Sequence, residues 1–82
     1  MNYGSWVISK LLIADKSQSW LSRESGYVQG SISNWARGTS NPRPDAIIII
    51  AECLAKVLSV NFIDILLESL QCFEEYPMGL DD

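Results

Sequence analysis

Between Gly26 and Gly38 the chain concentrates side chains that could recognise another molecule by hydrogen bonding: Gln29, Ser31, Ser33 and Asn34, followed by Arg37. Amides and hydroxyls both donate and accept, so a row of them on the outside of a helix can read base edges, whose pattern of donors and acceptors is fixed. The plainer reading of the same row is a solvated helix face. Other chemistries are poorly provided for. The chain has no histidine, no cluster of metal ligands and no Gly-rich phosphate loop before a helix, so no enzyme, metal, cofactor or small-molecule ligand is expected. Cys53 and Cys72 each fall within an apolar helical pattern, where a thiol acts as a small hydrophobe rather than as half of a disulfide or a metal ligand.

The elements that must hold those side chains follow from periodicity and caps. With 82 residues, 48% of them hydrophobic and 20% charged, the chain has the makings of one globular domain over residues 1–76 and an acidic tail over 77–82. Its longest apolar run, Ala46 to Ala51, is far short of the roughly 20 residues of a membrane span, and no signal-peptide pattern opens it, so a cytoplasmic location away from any membrane is expected. Trp6, Val7, Lys10, Leu11 and Ala14 recur at helical spacing and predict a helix over about 6–15 with Ser5 as N-cap. Ser17 opens a short second helix over about 18–25, which Gly26 stops. The third runs over about 28–37 to Gly38, with Val28, Ile32, Trp35 and Ala36 inward and the polar row outward.

The prolines of Gly38-Thr39-Ser40-Asn41-Pro42-Arg43-Pro44 make a loop that divides the chain. Asp45 is expected to cap a helix over about 45–58, apolar almost all round and central to the core. Four consecutive isoleucines could spell a strand instead, but the length, the cap and the lack of alternation favour a helix. Asn61 opens the last helix, over about 61–75, with a broad apolar stripe of Phe62, Ile63, Leu66, Leu67, Leu70 and Phe73. The fold class is therefore all-α, with five helices.

The net charge of −4 conceals an asymmetry. Residues 1–44 carry Lys10, Lys16, Arg23, Arg37 and Arg43 against Asp15 and Glu24, a balance of +3. Residues 45–82 carry Lys56 against Asp45, Glu52, Asp64, Glu68, Glu74, Glu75, Asp81 and Asp82, a balance of −7. A polyanion responds to local potential rather than net charge, so the first half could face one. Unrelated solvated faces would show the same numbers.

Ser17-Gln18, Leu21-Ser22, Gly26, Ile32-Ser33, Trp35, Arg37-Gly38 and Pro42, continued by Ala55, Leu58, Val60, Asn61, Asp64 and Leu66, stand in the order and spacing of a known pattern. Over roughly residues 6–67 the chain resembles the lambda-repressor-like helix-turn-helix family, the Cro/repressor or xenobiotic-response-element type. The resemblance implies a compact five-helix bundle whose third helix enters the major groove of double-stranded DNA. It implies base reading by Gln29 and Asn34, with Ser31 and Ser33 beside them. Phosphate contacts are implied for Ser17 and Gln18 at the start of helix 2, and for Arg37, Asn41 and Arg43 along the backbone. Each keeps a plainer alternative: Ser17 and Gln18 as helix caps, Ser31 and Ser33 as solvated hydroxyls, Arg37 as partner to Glu24 or another carboxylate. Val28, Gly30 and Ala36 depart from the family pattern, in which an N-cap hydroxyl, a base-reading side chain and a Glu are usual.

So few basic residues neutralise few phosphates, which makes a homodimer the expected binding form. Phe62, Leu66, Leu67, Leu70 and Phe73 are its expected interface, packing on the chain's own core being the alternative. The function expected is that of a sequence-specific transcriptional regulator, a small repressor of phage or plasmid type on a pseudopalindromic operator. The alternative is an antagonist that keeps the fold and binds another regulatory protein.

Overall fold

The computed structural model describes residues 2–73, which form five α-helices and no strand. α1 spans Tyr3–Ala14, α2 Gln18–Ser25, α3 Gln29–Arg37, α4 Pro44–Leu58 and α5 Phe62–Gln71. The all-helical expectation holds. Among the described residues no helix is long and apolar enough to cross a membrane.

The helix ends explain most of the differences from the sequence reading. α1 starts three residues early because Asn2, not Ser5, is its N-cap: the Asn2 side chain accepts from the Ser5 N–H at 2.8 Å. The gained turn buries Tyr3 and Gly4. Ser17 caps α2 as read, its Oγ accepting from the Trp20 N–H at 3.0 Å. Gly26 and Gly38 end α2 and α3 at φ 85° and 80°, left-handed conformations that cost glycine little. α4 begins at Pro44, a residue suited to a first helical position because its missing N–H would have no partner there. Asp45 lies within that first turn and is not the cap. Asn61 caps α5 with two bonds, to the Ile63 and Asp64 N–H groups. α5 ends at Gln71, and Phe73 stacks on Tyr3 at 5.4 Å between ring centroids. The expected end of helix 5 at 75 and the tail at 77–82 lie outside the described residues.

α4 is the centre of the core, but not on every side. Successive residues step 100° around a helix, so Ile47 and Ile50 point inward with Ala51 and Leu54, while Ile48 is exposed and Ile49 half-buried. Trp6, Val7 and Leu11 of α1, Leu21 of α2, Ile32 and Trp35 of α3 and Ile65 of α5 complete the core. Two polar contacts link α1 to α5. The Trp6 Nε1–H donates to Glu68 Oε1 at 2.8 Å, and Lys10 Nζ pairs with the same oxygen at 2.8 Å, joining α1 to α5. These partners hold the Glu68 carboxyl below the usual carboxylate range, the Lys10 bond first and the Trp6 bond second. At Gly4 a Cβ would stand 2.5 Å from the carbonyl oxygens of Trp35 and Ala36, so α1 lies directly on the end of α3.

Candidate nucleic-acid interface

α2 and α3 are joined by Gly26, Tyr27 and Val28 and pack on each other through Leu21 and Ile32, both essentially inaccessible. Ser22 Oγ donates to the Tyr27 carbonyl at 2.6 Å, and the Tyr27 N–H donates to Ser25 Oγ at 3.2 Å, so side chains of α2 hold the connecting turn. Tyr27 in turn meets Trp35 edge-on at 5.5 Å. The turn is thus tied at both ends, which fixes the direction of α3. Val28, expected to point inward, is exposed instead, because it is the N-cap and precedes the first turn of α3; it makes no side-chain capping bond, and its carbonyl accepts from the Ser31 and Ile32 N–H groups.

The polar row of α3 emerges from this frame in a defined arrangement. Ser19 Oγ donates to Gln29 Oε1 at 3.0 Å, and Ser33 Oγ donates to Gln18 Oε1 at 3.0 Å. Each amide therefore bridges the start of α2 and one side of α3. Further along, Arg37 Nη2 donates to Asn34 Oδ1 at 2.6 Å. In each of the three amides the oxygen accepts one hydrogen bond from a neighbouring side chain, and the NH2 remains as a donor. Gln29 is exposed, whereas Gln18, Ser31, Ser33 and Asn34 are half-buried.

The structure brings together most residues singled out in the sequence, with adjustments. Gln18, Gln29 and Ser33 form one patch, and Asn34 and Arg37 a second one on the same helix. Ser17 is engaged as the α2 cap, as its plainer reading had it. Arg37 takes Asn34 as partner rather than Glu24. Asn41 and Arg43 are exposed on the loop from α3 to α4. The five residues expected at a dimer face divide: Phe62, Leu66 and Phe73 pack half-buried against the chain's own core, while Leu67 and Leu70 are exposed, joined by Ile63 one turn earlier. Ser19 and Gly4 were missed. Ser19 bears no signal except its place next to Gln18, and a glycine inside an otherwise good helix hints at a close approach without saying to what.

A groove of about 810 Å³ is lined by α2, α4 and the start of α5, with Trp20, Ile49, Val57, Val60 and Phe62 among its apolar members and Glu24, Glu52 and Lys56 as its charged ones. Cys53 also lines it; burial chiefly, and then Glu24, pushes its thiol pKa up, so it is less of a nucleophile than an ordinary cysteine. No family model, curated protein or solved structure matches this chain.

Proposed function

We propose that the chain is a DNA-binding transcriptional regulator of compact repressor type, in which α2 and α3 act as a helix-turn-helix and α3 enters the major groove. The observation that carries this reading is the amide patch: Gln29 and Gln18 are oriented by Ser19 and Ser33 across two helices, on a helix whose other side is locked into the core by Ile32 and Trp35. Side chains pre-positioned in this way lose less freedom on binding, which is what a reading surface needs. The basic balance of residues 1–44 and the exposure of Arg37, Asn41 and Arg43 supply backbone contacts beside that patch. The resemblance to lambda-repressor-like proteins supports the same assignment. The binding form proposed is a twofold dimer through the exposed side of α5, reading a pseudopalindrome.

Mobility shifts against random duplex pools at low and moderate salt test it. A palindromic sequence should be enriched, Gln29→Ala should relax selection at one position per half-site at a cost of about 1–3 kcal/mol, and Arg43→Ala should weaken all sequences alike. Absence of duplex binding at low salt would overturn the proposal. A second reading, an antagonist that binds another regulatory protein, is favoured by the groove of Trp20 and Phe62 in a region rich in carboxylates. It predicts that same absence of duplex binding, together with a stoichiometric complex with a purified regulator.

A further inference from the structure

Resting on the DNA-binding reading, we infer that Val28 and Gln29 together select a thymine, Val28 by contact with its C5-methyl group and Gln29 by donating to its O4. Val28 is 70% exposed at the N-cap of α3, a position where a hydroxyl or carboxylate side chain would stabilise the helix and where this valine makes no capping bond. Its backbone is nonetheless held, since its carbonyl accepts from the Ser31 and Ile32 N–H groups at 3.0 and 3.3 Å. The result is a fixed apolar group at the end of the helix that carries the amide patch. Nothing lies within 4 Å of where a Cβ on Gly30 would be, so the surface at the residue after Gln29 is open.

The choice among bases follows from what Gln29 can donate and what Val28 can touch. Its Oε1 accepts from Ser19 Oγ, leaving the NH2 to donate. In the major groove thymine presents an O4 acceptor beside a methyl group, which matches a donor beside an apolar side chain. Cytosine offers an N4–H2 donor and no methyl, so it opposes donor to donor. Adenine presents N7 to the same donor, but like guanine it has no methyl group for Val28 to touch. Guanine accepts at O6 and N7 but gives Val28 nothing to touch. Gln18 and Asn34 are held likewise, their oxygens accepting from Ser33 and Arg37.

The test uses the full chain and the duplex it enriches from a random pool. Each thymine is replaced in turn by deoxyuridine, which removes only the methyl, and by 5-methylcytosine opposite guanine, which keeps the methyl and turns the O4 acceptor into a donor. At one thymine per half-site, deoxyuridine should weaken binding about fourfold, the worth of one buried methyl, and 5-methylcytosine on the order of tenfold or more. Val28→Ala should abolish the deoxyuridine penalty and retain the 5-methylcytosine penalty; Gln29→Ala should do the reverse. Val28→Ser should raise the melting temperature by adding a cap while losing the methyl discrimination, a pairing of effects that a purely structural role for Val28 would not give. Deoxyuridine tolerated at every thymine, or a penalty that survives Val28→Ala in a variant with unchanged helical circular dichroism, overturns the inference and leaves the DNA-binding reading intact. A chain that enriches no duplex overturns that reading as well.

Discussion

Two glycines on helices show how differently the same residue type is used here. A Cβ at Gly4 would meet two backbone carbonyl oxygens of α3 at 2.5 Å, whereas one at Gly30 would meet nothing within 4 Å. Backbone cannot swing aside as a flexible side chain can, so Gly4→Ala must push α1 and α3 apart. The expected cost is about 2–3 kcal/mol, larger than the gain of about 1 kcal/mol that alanine brings to a helix. Gly30→Ala keeps that gain whole and should stabilise the fold by up to about 1 kcal/mol. Urea unfolding of the two variants should therefore show midpoints displaced in opposite directions. Equal displacements would refute the close approach of α1 to α3. Neither outcome is readable from residue type alone, because what distinguishes the two glycines is another helix rather than their own.

At the scale of elements, α5 holds α1 through Glu68, and α1 holds α3 through Gly4, so the patch on α3 depends on a helix it is not joined to. Glu68 accepts from the buried Trp6 indole and pairs with Lys10. Its pKa in the folded chain lies below the ordinary value, so its contribution is complete above the unfolded carboxylate pKa of about 4.3 and is lost as pH falls through the lower folded value. The Glu68 side chain is 49% exposed, which limits the Lys10 pair to about 0–1 kcal/mol. Glu68→Gln keeps an oxygen for Trp6 and removes the ion pair, so wild type should be the more stable at pH 7 and the two should converge near pH 3 in denaturant titrations. A difference that does not change with pH would remove the ion pair from the account. The elements themselves were largely legible in the sequence, for reasons visible in particular residues. Ser17, Gly26, Gly38 and Asn61 each suit one backbone role, and each performs it. Asn2 was overlooked because Ser5 is also a good cap, and the choice between them is made by Tyr3 and Gly4 burying themselves against other helices. Phe73 fits the apolar stripe of α5 by spacing, yet it lies past the last helical residue and stacks on Tyr3. Within the candidate site, Gln18, Gln29 and Asn34 could be picked out by type and place. The bonds that orient them could not, since Ser19 and Ser33 act from a different helix than the amide each one holds.

For the whole molecule, the division of charge and the division of apolar surface lead to one arrangement. The basic balance lies in residues 1–44, with the proposed reading helix, and the acidic balance in residues 45–82, which would be repelled by a phosphate backbone and so would sit away from it. α5 belongs to the acidic part yet exposes Ile63, Leu67 and Leu70 at 55, 53 and 40% along one side, spaced by four and three residues so that they lie in line. A line of exposed branched apolar side chains is costly to leave in water, and pairing it with its own copy across a twofold axis would bury it. Each copy brings only Arg37, Arg43 and the few other cations of its first half, so doubling the phosphate contacts should roughly double the slope of log K against log salt. Leu67→Asp places a charge at the middle of the line without touching the core, and it should leave the melting temperature of the isolated chain nearly unchanged. Sedimentation should then show a concentration-dependent dimer for wild type and a monomer for the variant, and the variant's binding to a palindrome should fall to the affinity and the salt slope of a single half-site. A variant that still binds with the full slope would exclude α5 as the dimer surface, and a wild type that stays monomeric up to millimolar concentration, free and on DNA, would exclude the dimer.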